Sequence, residues 1–254
     1  MKAVCVVQAR LSSTRLPNKV LAPIEGRPML WHVLHRARMI HGIDQVVLSV
    51  PHAEREPLAA VAALLGVETY GGPHPDLLTA YAEVAAYTKA PLVMRITADC
   101  PLLDPWLCGL VLRHFEAQWA NRFQDCDHGA AHYVANVGPD SDYPDGLDCE
   151  VFTGEDLVLA ATLATAPYDR HHVTPWIRRE RQTYYLRIDD PALAKEAAAY
   201  ATTGRKWSVD TQADLDHVRD VMARLAPFGY AWDQTLAQAI ALGSDQPATP
   251  QETV

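Results

Sequence analysis

Over its first hundred residues the chain alternates short, β-branched apolar runs with stretches of helical periodicity, and this alternation limits its fold more than any other feature. "KAVCVV" (2–7), "QVVLSV" (45–50) and "PLVMRIT" (91–97) are nearly unbroken apolar runs, the pattern of strands covered on both faces. Between the first two, Pro28 is placed to open a helix whose apolar stripe is Leu30, Val33, Leu34, Ala37 and Ile40, with Gly42 as its stop. "REPLAAVAALLG" reads as a second helix closed by Gly66, "VETY" as a brief strand and "DLLTAYAEVAAYT" as a third helix. Strands joined by helices imply right-handed βαβ units and a mostly parallel sheet, an α/β fold.

The rhythm changes further on. Asp104 and Pro105 suit an N-cap and first helical position for "PWLCGLVLRHFEAQW". From about 120 to 155, "HYVAN" and "DCEVF" read as strands around a loop rich in Pro, Gly and Asp, which predicts a small antiparallel excursion. "TYYLRI" and "KWSVD" read as late short strands, and Thr211 with Asp214 resembles a capping box opening "QADLDHVRDVMARL". Residues 1–242 are expected to form one domain, and the polar tail 243–254 to be disordered.

Composition narrows the class of partner. With 254 residues, 49% of them hydrophobic, the chain can bury a substantial core. A formal net charge of −9 argues against broad attraction to nucleic acid or to an anionic membrane surface. Five widely spaced cysteines with no C-x-x-C point to a reducing cytoplasm rather than a disulfide framework or zinc ribbon. Uncharged stretches such as 157–168 are too short to cross a bilayer. The expectation is a cytoplasmic protein with small-molecule partners.

Against this acidic background, "VVQARLSSTRLPNKVL" (6–21) sets Arg10, Arg15 and Lys19 just beyond the first strand, with Ser13 and Thr14 among them and no carboxylate before Glu25. In an open α/β sheet, ligands bind beyond the carboxyl ends of the strands, where this loop falls. No glycine precedes Gly26, so neither glycine-rich nucleotide cradle is present. Guanidinium forks, an ammonium and hydroxyls are another way to hold a polyphosphate; a solvated loop with scattered cations is the plainer reading. Asp99 in "RITADCPLLDP" follows a buried strand by two residues. A carboxylate there could hold Mg²⁺, which usually takes one or two carboxylates plus substrate phosphates, or could cap a turn. Asp210 in "KWSVDTQADL" is read at a strand end, where capping chemistry is also common.

Together these segments resemble the nucleotide-sugar cytidylyltransferases, which include the CMP-Kdo and CMP-sialate synthetases. The opening signature, "LVMRITADCPLLDP", "YPDGLDCEVF", "HVTPWI" and "KWSVDTQADL" are most similar to the spore coat polysaccharide branch, with the motifs in matching order over about residues 3 to 225. The resemblance implies a GT-A-like nucleotide-diphospho-sugar transferase fold, an NTP with CTP favoured, Mg²⁺ as cofactor, and transfer of the nucleotidyl group with release of pyrophosphate. It assigns Arg10, Arg15 and Lys19 to the triphosphate and to catalysis, with Gln8, Ala9, Ser13, Thr14, Thr97 and Asp99 completing the nucleotide site. Asp99 and Asp210 would hold the metal. Asp145, Asp148, Glu150, Arg170 and His172 would line a pocket for an acidic or phosphorylated sugar-like acceptor, and a homodimer is expected. Asp125 and Asp127 form a D-x-D, the metal-binding pattern of many glycosyltransferases of the same general fold. A glycosyltransferase using a nucleotide sugar, or a catalytically silent nucleotide-binding relative, therefore stays open at this stage.

Overall fold

The computed structural model describes residues 1–120, 131–138, 143–187 and 206–225. The expected disordered tail and the D-x-D at Asp125 and Asp127 lie outside them.

Four parallel strands arise from the alternating segments: β1 (Ala3–Gln8), β4 (Gln45–Pro51), β5 (Glu68–Gly72) and β6 (Leu92–Thr97). The seven-stranded sheet runs β5-β4-β1-β6-β8-β7-β9, where β7 is Tyr133–Ala135, β8 is Glu150–Thr153 and β9 is Thr183–Tyr185. β8 pairs antiparallel with both β6 and β7, while β9 pairs parallel with β7. The expected mostly parallel sheet with an antiparallel excursion is thus present, with "HYVAN" and "DCEVF" as its strands.

Alternation along each strand feeds two cores. Ala3, Cys5 and Val7 join Leu48, Met94 and Ile96 under α1 (Met29–Ala37), α2 (Arg55–Ala63), α4 (Pro105–Ala120) and α8 (Gln212–Leu225). Val4, Val6, Val47 and Val93 face α3 (Leu77–Thr88), α5 (Gly154–Leu163) and α7 (Pro175–Glu180), with α6 (Pro167–His172) beside them. Side chains at successive strand positions point to opposite faces, so strands covered on both sides must be apolar throughout. The sequence marks no helix between Thr153 and Glu180; the structure has three, because short helices capped by Thr153 and opened by Pro167 and Pro175 carry little periodicity.

One expected strand is corrected. "KWSVD" makes only an isolated bridge, Lys206 to Asp145, so Asp210 does not end a strand. The segment is held by loop contacts instead: Trp207 N donates to Asp145 O at 2.6 Å and Val209 N to Asp99 O at 2.8 Å. Gly146, at φ +105°, allows this crossing, since a Cβ there would lie 2.4 Å from Ser208 N and 2.5 Å from Trp207 C. The capping box at the start of α8 is present, with Thr211 N to Asp214 Oδ2 at 2.8 Å and Asp214 N to Thr211 Oγ1 at 3.3 Å. Cys5, Cys100, Cys108 and Cys149 are buried free thiols. No described helix is long and apolar enough to cross a membrane.

A hairpin absent from the sequence reading, β2 (Pro23–Ile24) with β3 (Arg27–Pro28), leads from the basic loop into α1. Buried His32 on α1 donates from Nε2 to Ile24 O at 2.8 Å and pins it. Burial pushes the His32 imidazole from its ordinary 6.5 down to about 4. The unfolded chain therefore takes up a proton as pH drops through 6.5, and the folded chain does not until about 4. Unfolding free energy should fall by about 3 kcal/mol across that window from this group. Denaturant titrations at several pH values should show His32→Gln with a shallower decline; an unchanged slope would contradict it.

Candidate active site

The register of β1 puts Gln8 opposite Thr97 of β6 and Ser49 of β4, so Ala9–Arg10 and Ala98–Asp99 leave the sheet at the same edge. The basic loop then folds back on itself. Leu11 N donates to Glu54 Oε2 at 2.5 Å and Asn18 N to Leu11 O at 3.0 Å. Asn18 takes a left-handed conformation at φ 58°, which Asn tolerates better than most residues, and starts a 3₁₀ turn over Lys19–Leu21 with Val20 buried.

This turn delivers the Lys19 ammonium to the sheet edge, 3.1 Å from Asp99 Oδ2, 3.2 Å from Asp210 Oδ1 and 2.5 Å from Val209 O. Arg15 Nη2 lies 2.8 Å from the same Asp210 oxygen. Residues 80 and 191 positions away from Lys19 thus meet on one side chain. The cavity they face is lined by Gln8, Ala9, Arg10, Ser13, Thr14, Arg15, Lys19, Thr97, Asp99 and Asp210, which gathers all the residues expected to hold nucleotide and metal. Burial alone would raise the Asp99 carboxyl; the Lys19 ammonium and Thr97 hydroxyl hold it below its ordinary range. Burial and the Asp99 charge push the Cys100 thiol well up, so it stays protonated.

The donor set fits Mg²⁺. Asp99 and Asp210 both reach the Lys19 ammonium and so lie close together, and hard oxygens in that number suit an ion that completes its shell with phosphate and water. Among the described residues no group of three or more His, Cys, Asp and Glu could hold a metal by itself.

A second cavity shares Thr97 with the first and is lined by Arg95, Val137, Asp148, Glu150, Tyr168, His172, Thr174, Pro175 and Arg178. Of the residues expected to bind acceptor, Asp148, Glu150 and His172 are here. Glu150 is already engaged: Arg95 pairs with Oε2, and Oε1 accepts from Tyr133 Oη at 2.7 Å and Thr174 Oγ1 at 2.8 Å. Asp148 is different. Burial, with the charges of Asp145, Glu150 and Asp99, raises its carboxyl to about 7. Burial lowers the His172 imidazole, helped by His171 and Arg95.

Two of the residues expected at the acceptor lie outside this lining. Arg170 does not line the cavity; its guanidinium binds Asp76 Oδ2 at 2.6 Å, Thr79 Oγ1 at 2.7 Å and the carbonyls of Ala161 and Ala164, tying α3 to α5. Asp145 is also absent from the lining: its Oδ2 accepts from Ser208 Oγ at 2.8 Å, making it a strut for the 206–209 segment. Sequence reasoning missed Arg95, Tyr168, Thr174 and Arg178 on the cavity wall, and Lys206 behind Asp210. Arg95 had a visible signal, a lone cation inside the apolar strand "LVMRIT".

The edge of this mostly parallel sheet carries a glycine-free basic loop, two convergent carboxylates and an adjoining polar cavity, and the family match marks the chain as a nucleotidyltransferase. The pattern of the cytidylyltransferase family matches residues 4–234, and the chain belongs to that family. It is 26% identical to the spore coat polysaccharide biosynthesis protein SpsF of Bacillus subtilis over 221 residues, covering 84% of this chain and 83% of that one. It is 38% identical to the 3-deoxy-manno-octulosonate cytidylyltransferase of Nitratidesulfovibrio vulgaris over 105 residues, 39% of this chain and 40% of the relative. In fold it is similar to a cytidylyltransferase structure from Leptospira borgpetersenii, with a TM-score of 0.78 at 21% identity over 95% of this chain and 93% of that one.

The structural engagement of Arg170 is open to measurement. Arg170→Ala should lower Tm by ~2–8 °C, the effect of about 1–2 kcal/mol in a domain of this size. Arg178→Ala, on the cavity wall, should leave Tm near wild type. Equal thermal shifts for the two variants would contradict the assignment.

Proposed function

We propose that the protein transfers CMP from CTP to an acidic or phosphorylated sugar-like acceptor, with release of pyrophosphate and dependence on Mg²⁺, to make a precursor of a surface polysaccharide. The observation that carries this reading is the meeting of Lys19 with Asp99 and Asp210 beside Arg10 and Arg15. In the proposed reaction an acceptor oxygen attacks the α-phosphorus, the bond to the bridging oxygen breaks, and pyrophosphate leaves with the electron pair. Little covalent chemistry falls to the protein in such a transfer; positioning and charge neutralisation do the rest.

Arg10, Arg15 and Lys19 would grip the triphosphate and take up the charge that grows on the departing pyrophosphate, with Ser13 and Thr14 donating to phosphate oxygens. Asp99 and Asp210 would hold Mg²⁺, which when bound supplies positive charge against the phosphate oxygens. Asp148, His172 and Arg178 would orient the acceptor in the second cavity, next to Thr97 where the two cavities join. A homodimer and a cytoplasmic location belong to the same proposal, the first resting on the resemblance and the second on the cysteine pattern.

The test is pyrophosphate release with each NTP, Mg²⁺ and a panel of phosphorylated and acidic sugars. Acceptor-dependent release that is fastest with CTP is the expected result. Lys19→Ala should cut that release by about 10²–10³-fold or more while its circular dichroism stays native. Wild-type turnover in this variant would overturn the role of Lys19, and pyrophosphate release with no acceptor requirement would overturn the transfer itself.

A further inference from the structure

Asp210 divides its two oxygens between different surroundings. Oδ1 faces the cavity, where Arg15 Nη2 (2.8 Å) and Lys19 Nζ (3.2 Å) reach it. Oδ2 is held from behind by Lys206 Nζ at 3.2 Å, a side chain only 16% exposed that lines neither cavity. Lys206 also binds Asp214 Oδ2 at 3.0 Å. That same oxygen caps α8 through Thr211 N and accepts from Asp210 N at 3.0 Å. The backbone and the far oxygen of Asp210 are thereby fixed to one helix cap, and only the near oxygen is left to the cavity.

We propose that Lys206 is a positioning residue: by occupying Oδ2 of Asp210 it leaves a single oxygen for the divalent ion, so that the site favours Mg²⁺ over Ca²⁺. The inference rests on the reading that Asp99 and Asp210 hold the ion. Its physical basis is the difference between the two cations. Mg²⁺ is small and demands near-octahedral geometry, whereas Ca²⁺ accepts more oxygens, including both from one carboxylate. A carboxylate with one oxygen tethered suits the first ion and denies the second its extra ligand. Groups that orient a ligand from outside the coordination shell tune affinity strongly.

The experiment compares ion preference rather than affinity. Mn²⁺ bound to the full-length protein is followed by electron paramagnetic resonance and displaced with Mg²⁺ or with Ca²⁺. Removing the Lys206 charge acts on two divalent ions alike, so the ratio of their affinities cancels the Coulomb effect and reports geometry. In Lys206→Met the Ca²⁺-to-Mg²⁺ affinity ratio should rise by about tenfold, and Lys206→Arg should restore the wild-type ratio. If Lys206→Met does not fold, the double variant Lys206→Met with Asp214→Asn leaves no lone carboxylate behind and should show the same rise. An unchanged ratio in a folded variant overturns the proposal. Asp99→Asn separates the two readings. Loss of Mn²⁺ binding there, with an unchanged ratio at Lys206, rejects the positioning role alone. Mn²⁺ binding indifferent to Asp99→Asn rejects the metal site and the Lys206 proposal together.

Discussion

The Lys19 ammonium, shared between Asp99 and Asp210, is the interaction on which the site depends. Two carboxylates brought to one point repel each other, and at an effective dielectric of 20 a pair of unit charges 4 Å apart interacts by about 4 kcal/mol. Lys19, Arg15 and Lys206 supply the compensating charge. The same arrangement suits exchange of partners. A triphosphate offers the cations other oxygens to bind, and a divalent ion offers the carboxylates another cation. Under the proposed function nucleotide and metal would each favour the other, because either one alone would leave some of these side chains unpaired.

The fold makes that meeting possible by ordinary means. β1 and β6 are neighbours in register, so the loops that follow them leave the sheet side by side. The third contributor arrives without a strand. Residues 206–209 are threaded between Asp145 and Asp99 by backbone hydrogen bonds, through a crossing that only a glycine at 146 accommodates. The second cavity, proposed to take the acceptor, lies beside α6 and α7, where Arg95 and Glu150 face each other across β6 and β8. Its wall is partly self-satisfied through Glu150, and Asp148, His172 and Arg178 are among the polar groups that line the space.

Much of this was legible in the sequence. The interior strands announced themselves because burial on both faces leaves no room for polar alternation, and the residues assigned to nucleotide and metal line one cavity because short loops after adjacent strands must share an edge. What escaped notice depended on long-range contacts. "KWSVD" is apolar enough to read as a strand, yet its partners are loops, and periodicity says nothing about who the partners are. Arg170 and Arg178 both sit in a basic, histidine-containing stretch, and only the packing of α3 against α5 sends Arg170 to Asp76 and leaves Arg178 on the cavity wall. Lys206 stands four residues before Asp210, a spacing that means little until the turn into α8 brings the two together.

The account is tested most directly by a crystal structure of the protein with CTP and Mn²⁺, the ion located by its anomalous scattering. It predicts an anomalous peak touching Asp99 and Asp210, with the Lys19 ammonium transferred to a phosphate oxygen of the triphosphate. A peak away from both aspartates, or a triphosphate bound out of reach of Lys19, would contradict it.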